Sequence, residues 1–216
     1  MQIGSNFADI RVEGNKVVSK SGALLSKVAN IALEHGLGGM EFASGIPGSL
    51  GGAVAMNAGA YGGEMKDIVR SSTCVDEDGN IVEIIDHKFS YRHSIFTEKK
   101  LLVLETVIDL SPKAKEEIRS EMNELNKRRK DKQPLEYPSA GSTFKRPDGY
   151  FAGKLIEDAG LKGCRVGGAM VSEKHAVFVI NYDKATATDI LDLMEHIKNE
   201  VYKRFEVRLE PEVKIV

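Results

Sequence analysis

Apolar and polar residues alternate from Asp9 to Val18 around Gly14 and Asn15, a pattern that predicts two short strands joined by a tight turn. The period then changes. Leu24, Leu25, Val28, Ile31 and Ala32 recur at helical spacing behind Ser21, a candidate N-cap, and ahead of Gly36, a candidate helix end. Two strand-like runs between Ile68 and Ile85 flank Asp78, Gly79 and Asn80, and Leu101 to Leu110 gives a further strand. Ser111 as cap and Pro112 in the first turn open an amphipathic helix carrying Ile118, Met122 and Leu125, which decays into the basic run from Asn126 to Pro134. A helix ending at Gly160, a strand around Ala176 to Asn181, a helix from Thr188 to Phe205 and a last strand from Val207 to Val216 follow. The pattern predicts an α+β chain with a sheet-rich first part, residues 1–111, and a compact α+β second part, residues 112–216.

Composition narrows the classes. With 216 residues, 42% of them hydrophobic, the chain can bury a substantial core. Thirty Lys and Arg against 32 Asp and Glu leave a net charge of -2, so no global positive field attracts nucleic acid or an anionic membrane, and any bound anion needs a local site. Cys74 and Cys164 lie far apart, and neither they nor His35, His87, His93 and His196 show ligand spacing; no metal and a reducing cytoplasm are expected. No apolar run approaches the roughly 18 residues of a membrane span, and the first residues lack an export pattern.

The segment Gly45 to Glu64 holds seven of the 21 glycines, with Ala and Ser filling much of the rest. Such a backbone lets a flat or phosphorylated ligand come close; the alternative is a tight-turn segment packed on a helix. It lacks the Gly-Lys-Ser/Thr ending of a P-loop and the spacing of the Rossmann fingerprint, so glycine spacing alone names no ligand.

This segment resembles the signature of the UDP-N-acetylenolpyruvoylglucosamine reductases, the MurB family, and three further blocks follow in the family's order: Tyr91 to Phe96, Ala140 to Pro147, and Leu209 to Val213. Ala152 to Gly163 and Gly167 to Ala176 are similar to the family as well. The resemblance implies the second part of a two-part FAD-binding domain followed by a substrate-binding domain, with FAD and NADPH as cofactors. It also implies a small UDP-sugar substrate in peptidoglycan precursor synthesis, whose enolpyruvyl double bond is reduced to give UDP-N-acetylmuramate. Gly45, Ile46, Pro47, Gly48, Gly51, Gly52, Asn57, Gly59, Ala60 and Tyr61 would line the FAD site.

Reducing an enolpyruvyl group builds negative charge beside a carboxylate and then needs a proton, so the site requires a charge stabiliser and an acid. By the block match Arg92 is the stabiliser, a planar guanidinium able to grip a carboxylate through two bonds. Glu212 would stabilise the same charge, protonated or through hydrogen bonds, with Glu210 on the same face as a decoy. Ser142 would donate the proton, its transient alkoxide favoured by Lys145 and local backbone amides. On residue type alone Arg92 reads as a surface ion-pair partner, Glu212 as a solvated carboxylate and Ser142 as part of a turn or cap; the blocks make the choice. Tyr91, Lys132, Lys145, Arg146 and His175 would contact substrate, although Lys132 equally reads as a solvated helix end and His175 as a structural histidine. Arg146 stands where many relatives carry Asn.

Family members usually place a segment with a Gly-x-Gly-Ser-Asn loop ahead of the first hairpin, and that loop is not in this sequence. The expectation is weakened FAD binding, and self-association through apolar surface bared on the remaining sheet, the segment being matched in part to the Ala/Leu face of helix 21–35. A flavin-deficient UDP-sugar-binding module is therefore the alternative reading. A small-molecule alcohol oxidase of the same superfamily is a further one, disfavoured by the lack of a His or Cys flavin-attachment motif.

Overall fold

The computed structural model describes residues 3, 4 and 6–215, in two compact units, 1–128 and 129–216. In the first, Gly14 at φ 60° reverses the chain between β1 (Ile10–Glu13) and β2 (Lys16–Lys20), which pair from Ile10 opposite Ser19 to Glu13 opposite Lys16. Helix α1 (Leu25–Glu34) buries Leu25, Val28, Ala29, Ala32 and Leu33 in this unit's core. It ends as predicted at Gly36, φ 66°. Its start differs: Leu24 is the N-cap, with no side-chain bond, and Ser21 is buried with its hydroxyl unpartnered among the described residues. Ser21 is occupied by packing instead, because Gly51 of α2 (Leu50–Ala55) donates its N–H to the Ser21 carbonyl at 2.9 Å.

After β3 (Leu37–Gly38) and the small hairpin β4 (Gly59–Ala60) and β5 (Gly63–Glu64) come β6 (Val69–Val75), β7 (Ile81–Ile84), the single turn α3 (Ile95–Glu98) and β8 (Leu102–Asp109). The main sheet runs β1-β2-β8-β6-β7, antiparallel throughout. The expected cap at Ser111 is corrected: Ser111–Pro112 forms β9 on β3, with Lys113 N–H bonding the Gly36 carbonyl at 2.9 Å, and α4 (Lys115–Lys132) starts only afterwards. A long-range strand pairing has overridden the local capping signal. Ile118 and Met122 of α4 lie in the first unit's core, which moves the boundary of the compact units from residue 111 to within the helix, at 128. Helix persists through the basic run since Glu116 and Glu117 in the first turn and Arg129, Lys130 and Lys132 in the last match its dipole, and Glu124 pairs with Arg128 at 2.7 Å.

The second unit packs α5 (Ala152–Asp158) and α6 (Ala187–Phe205) with a small antiparallel sheet of β10 (Arg165–Val166), β11 (Ala169–Val171) and β12 (Val179–Asn181). Thr186 and Asp189 form a capping box that starts α6 slightly earlier than its apolar pattern suggests. The predicted last strand, 207–216, is corrected over the described residues to an isolated bridge between Pro211 and Phe144; Val216 lies outside them.

Candidate functional site

The glycine-rich segment divides into glycines that the fold needs and glycines that it does not. A Cβ on Gly51 would lie 2.6 Å from Ser21 Cβ, one on Gly59 2.6 Å from Glu64 Cγ and one on Gly63 2.6 Å from the Phe42 ring, so these three are fixed by close packing. Gly48, φ 122°, has nothing within 4 Å of the added atom, and Gly52 meets only Ser49 Oγ, at 3.5 Å. Gly45 and Ile46 are half-buried; Pro47, Gly48 and Gly52 are exposed. Ala60 ends β4, and Tyr61 and Gly62, φ 55° and 93°, make the two-residue turn into β5, with the Tyr61 ring exposed.

Asn57 departs from its expected role as a cofactor contact. It is 1% exposed at φ 46°; Nδ2 donates to Glu64 Oε2 at 2.9 Å and to the Ser90 carbonyl at 3.0 Å, and Oδ1 accepts the Lys66 N–H at 2.9 Å. Both its donors and its acceptor are engaged internally. Glu64 accepts from Lys66 Nζ and Asn57, and these bonds, with the charge of Arg92 adding to them, hold its carboxyl below the usual range against the opposing effect of burial.

Ser90 and His93 exchange backbone bonds of 3.1 and 3.2 Å, closing a turn with Tyr91 and Arg92 at its centre. Arg92 is left-handed at φ 54°, and its guanidinium lies 5.2 Å from the centre of the exposed Tyr91 ring. Ser94 Oγ donates to the Ala55 carbonyl, and His93 Nε2 lies 3.2 Å from Glu98. Glu64, Ser90 and Ser94 were not legible as contributors here, since nothing in a single sequence links them to Arg92.

In the second unit, the segment after Ser139 lies extended beside residues 210–212: Lys145 N–H bonds the Glu210 carbonyl at 2.8 Å, and Glu212 N–H the Thr143 carbonyl at 2.9 Å. Thr143 N–H reaches the Val177 carbonyl at 2.9 Å on the other side. This pairing brings Ser142 and Glu212, far apart in sequence, onto adjoining extended segments, with Ser142 exposed and Glu212 half-buried. Lys145, expected beside Ser142, has its ammonium paired with Glu210. Arg146 lies 3.9 Å over the Phe151 ring.

His175 is half-buried, its Nδ1 accepting the Val177 N–H at 3.4 Å and its ring against Gly153, where a Cβ would sit 3.1 Å from Cε1. Burial, then the charge of Lys162 and, less, of Lys132, push its pKa down despite Glu157, so a neutral ring with its proton on Nε2 is favoured. The exposed Lys132 thus shares the neighbourhood of His175. Among the described residues no group of three His, Cys, Asp or Glu could hold a metal ion, and no helix is long and apolar enough to cross a membrane.

Residues 133–216 match the C-terminal domain family of UDP-N-acetylenolpyruvoylglucosamine reductase, and residues 5–85 match an FAD binding domain family. The UDP-N-acetylenolpyruvoylglucosamine reductase of Caldanaerobacter subterraneus is 58% identical over 98% of this chain and 71% of its own length. That of Clostridium novyi is 54% identical over 96% of this chain and 68% of its own. The crystal structure of the Thermus caldophilus enzyme superposes with a TM-score of 0.84 at 36% identity, covering 97% of this chain and 74% of that one. By extended identity, by two family domains in the right order and by fold, this chain belongs to the UDP-N-acetylenolpyruvoylglucosamine reductase family of FAD-dependent oxidoreductases.

Proposed function

We infer that the protein reduces UDP-N-acetylenolpyruvoylglucosamine to UDP-N-acetylmuramate at the expense of NADPH, with Arg92, Ser142 and Glu212 carrying the substrate chemistry. The observation that supports this most is the pairing of Thr143 and Lys145 with Glu210 and Glu212, which sets a proton-bearing hydroxyl and a carboxyl on adjoining extended segments.

FAD fits the glycine-rich segment. Gly52 lies inside α2, where glycine costs about 1 kcal/mol relative to alanine, yet a Cβ there would meet nothing beyond ordinary contact with Ser49. A flat ligand against that face accounts for the missing side chain. Gly45, Ile46, Pro47, Gly48 and Gly52 with Ala60 and Tyr61 would hold the cofactor, whereas Gly51 and Gly59 are fixed by close packing and the Asn57 amide is engaged inside the protein. When bound, FAD supplies the hydride that NADPH provides.

As hydride reaches the terminal alkene carbon, charge grows on the neighbouring carbon and its carboxylate. Arg92 would hold that carboxylate through two parallel N–H bonds, worth more in a water-poor site than in solvent. Ser142 would pass its hydroxyl proton to the neighbouring carbon and recover one from solvent, and Glu212 would stabilise the anion before protonation. Tyr91, Lys132, Arg146 and the Nε2–H of His175 would contact the nucleotide sugar. Supplying FAD, NADPH and the enolpyruvyl sugar and following the products by mass tests the reading: UDP-N-acetylmuramate is expected. NADPH oxidation that leaves the sugar unconsumed overturns it.

A further inference from the structure

Arg92 occupies a backbone conformation that an arginine does not choose unaided. At φ 54° its Cβ crowds the following carbonyl, and it sits in a four-residue turn closed by the bonds between Ser90 and His93. Those bonds shape the turn without fixing how it is aimed. The glycine-rich segment supplies that from two sides: Asn57 Nδ2 donates to the Ser90 carbonyl at 3.0 Å, and Ser94 Oγ donates to the carbonyl of Ala55, the last residue of α2. The Asn57 amide cannot flip, because Oδ1 would then face the Glu64 carboxylate and the Ser90 carbonyl while Nδ2 faced the Lys66 N–H. Glu64, itself held by Lys66 Nζ at 2.8 Å, locks the orientation.

We propose that Asn57 is a positioning residue: through Ser90 it aims the Arg92 guanidinium, with Glu64 and Lys66 locking the amide and Ser94 clamping the far end of the turn. This rests on the reading that Arg92 grips the substrate carboxylate, and a double-mutant cycle separates the two claims. Asn57→Gly removes the amide while φ 46° remains freely accessible, so the backbone is not strained. The assays are reoxidation of the NADPH-reduced, FAD-loaded enzyme by the enolpyruvyl sugar and calorimetric titration of UDP-N-acetylmuramate. They compare the parent protein with Asn57→Gly, Arg92→Ala and the double variant.

A guanidinium displaced by an ångström should slow reoxidation by about 10- to 100-fold and weaken product binding, with reduction by NADPH unchanged. In the Arg92→Ala background the same substitution should change either quantity by less than about two-fold. Equal losses with and without Arg92 would show that Asn57 supports the fold generally, and the proposal fails. If Arg92→Ala alone changes neither quantity, the reading of Arg92 fails and takes the positioning role with it. Should Asn57→Gly not fold, Ser94→Ala releases the turn at its other end and enters the same cycle, where additivity with Arg92→Ala overturns the proposal.

Discussion

Gly51 and Gly52, adjacent in α2, should respond to alanine with opposite signs. The Cβ of Gly51→Ala would arrive 2.6 Å from Ser21 Cβ and 3.2 Å from the Ser21 carbonyl oxygen, both rigidly attached to backbone and buried. Something must shift, at about 1–3 kcal/mol, and the bond between Gly51 N–H and that carbonyl is strained with it. Gly52→Ala meets only Ser49 Oγ at 3.5 Å and points to solvent, so the better helix former should stabilise the cofactor-free protein by about 0.5–1 kcal/mol. For a chain of this size each kcal/mol moves the melting temperature by roughly 2–4 °C, so the two variants should separate clearly by calorimetry or urea unfolding. Titration with FAD then reverses the ranking for Gly52→Ala, whose methyl group occupies the face offered to the cofactor: more stable alone, it should bind FAD more weakly than the parent. A destabilised Gly52→Ala, or one with unchanged FAD affinity, refutes the idea that this glycine is retained for a ligand.

Arg92→Lys should slow consumption of the enolpyruvyl sugar by about 100-fold or more, because a point charge cannot reproduce a bidentate grip, while reduction by NADPH followed by stopped flow stays near the parent rate. Ser72→Ala should cost about 1–3 kcal/mol in urea unfolding at pH 8, since Ser72 Oγ lies 2.9 Å from Nε2 of the buried His87 and its loss strands that nitrogen. Burial holds the His87 pKa below its ordinary 6.5 despite the Ile85 carbonyl and Asp86, so the neutral ring's contribution is complete above pH 6.5 and drains away as pH falls toward the folded value. The urea midpoint should accordingly drop between pH 7 and 5; a midpoint that rises over this range contradicts the assignment.

Elements set by local rules were legible. The β1–β2 hairpin followed from alternation around Gly14 and the end of α1 from Gly36, and α6 lies where a helix was expected, with Leu193, Met194, Ile197 and Val201 buried. What failed depended on contacts distant in sequence. Ser21 reads as a helix cap until Gly51 is seen packed on it, and Ser111 reads as one until it pairs with Gly38. The segment after Val207 suggested a strand, but among the described residues the backbone pairing is that of Glu210 and Glu212 with Thr143 and Lys145. Motif blocks singled out Arg92, Ser142 and Glu212 as candidates, while the glycines carried two meanings that only coordinates could divide. Asn57 looked like a ligand contact because it lies in the glycine-rich run; its saturated amide gives it an internal task instead.

Ser142 is where the chemistry is most exposed to contradiction, because proton donation enters only one half of the catalytic cycle. In the Ser142→Ala variant, reduction of the FAD-loaded enzyme by NADPH should proceed at nearly the parent rate, while turnover with the enolpyruvyl sugar falls by about 100- to 10,000-fold and Ser142→Cys recovers part of it. Equal slowing of both half-reactions, or sugar turnover that survives Ser142→Ala, would contradict the assignment of Ser142 as the proton donor.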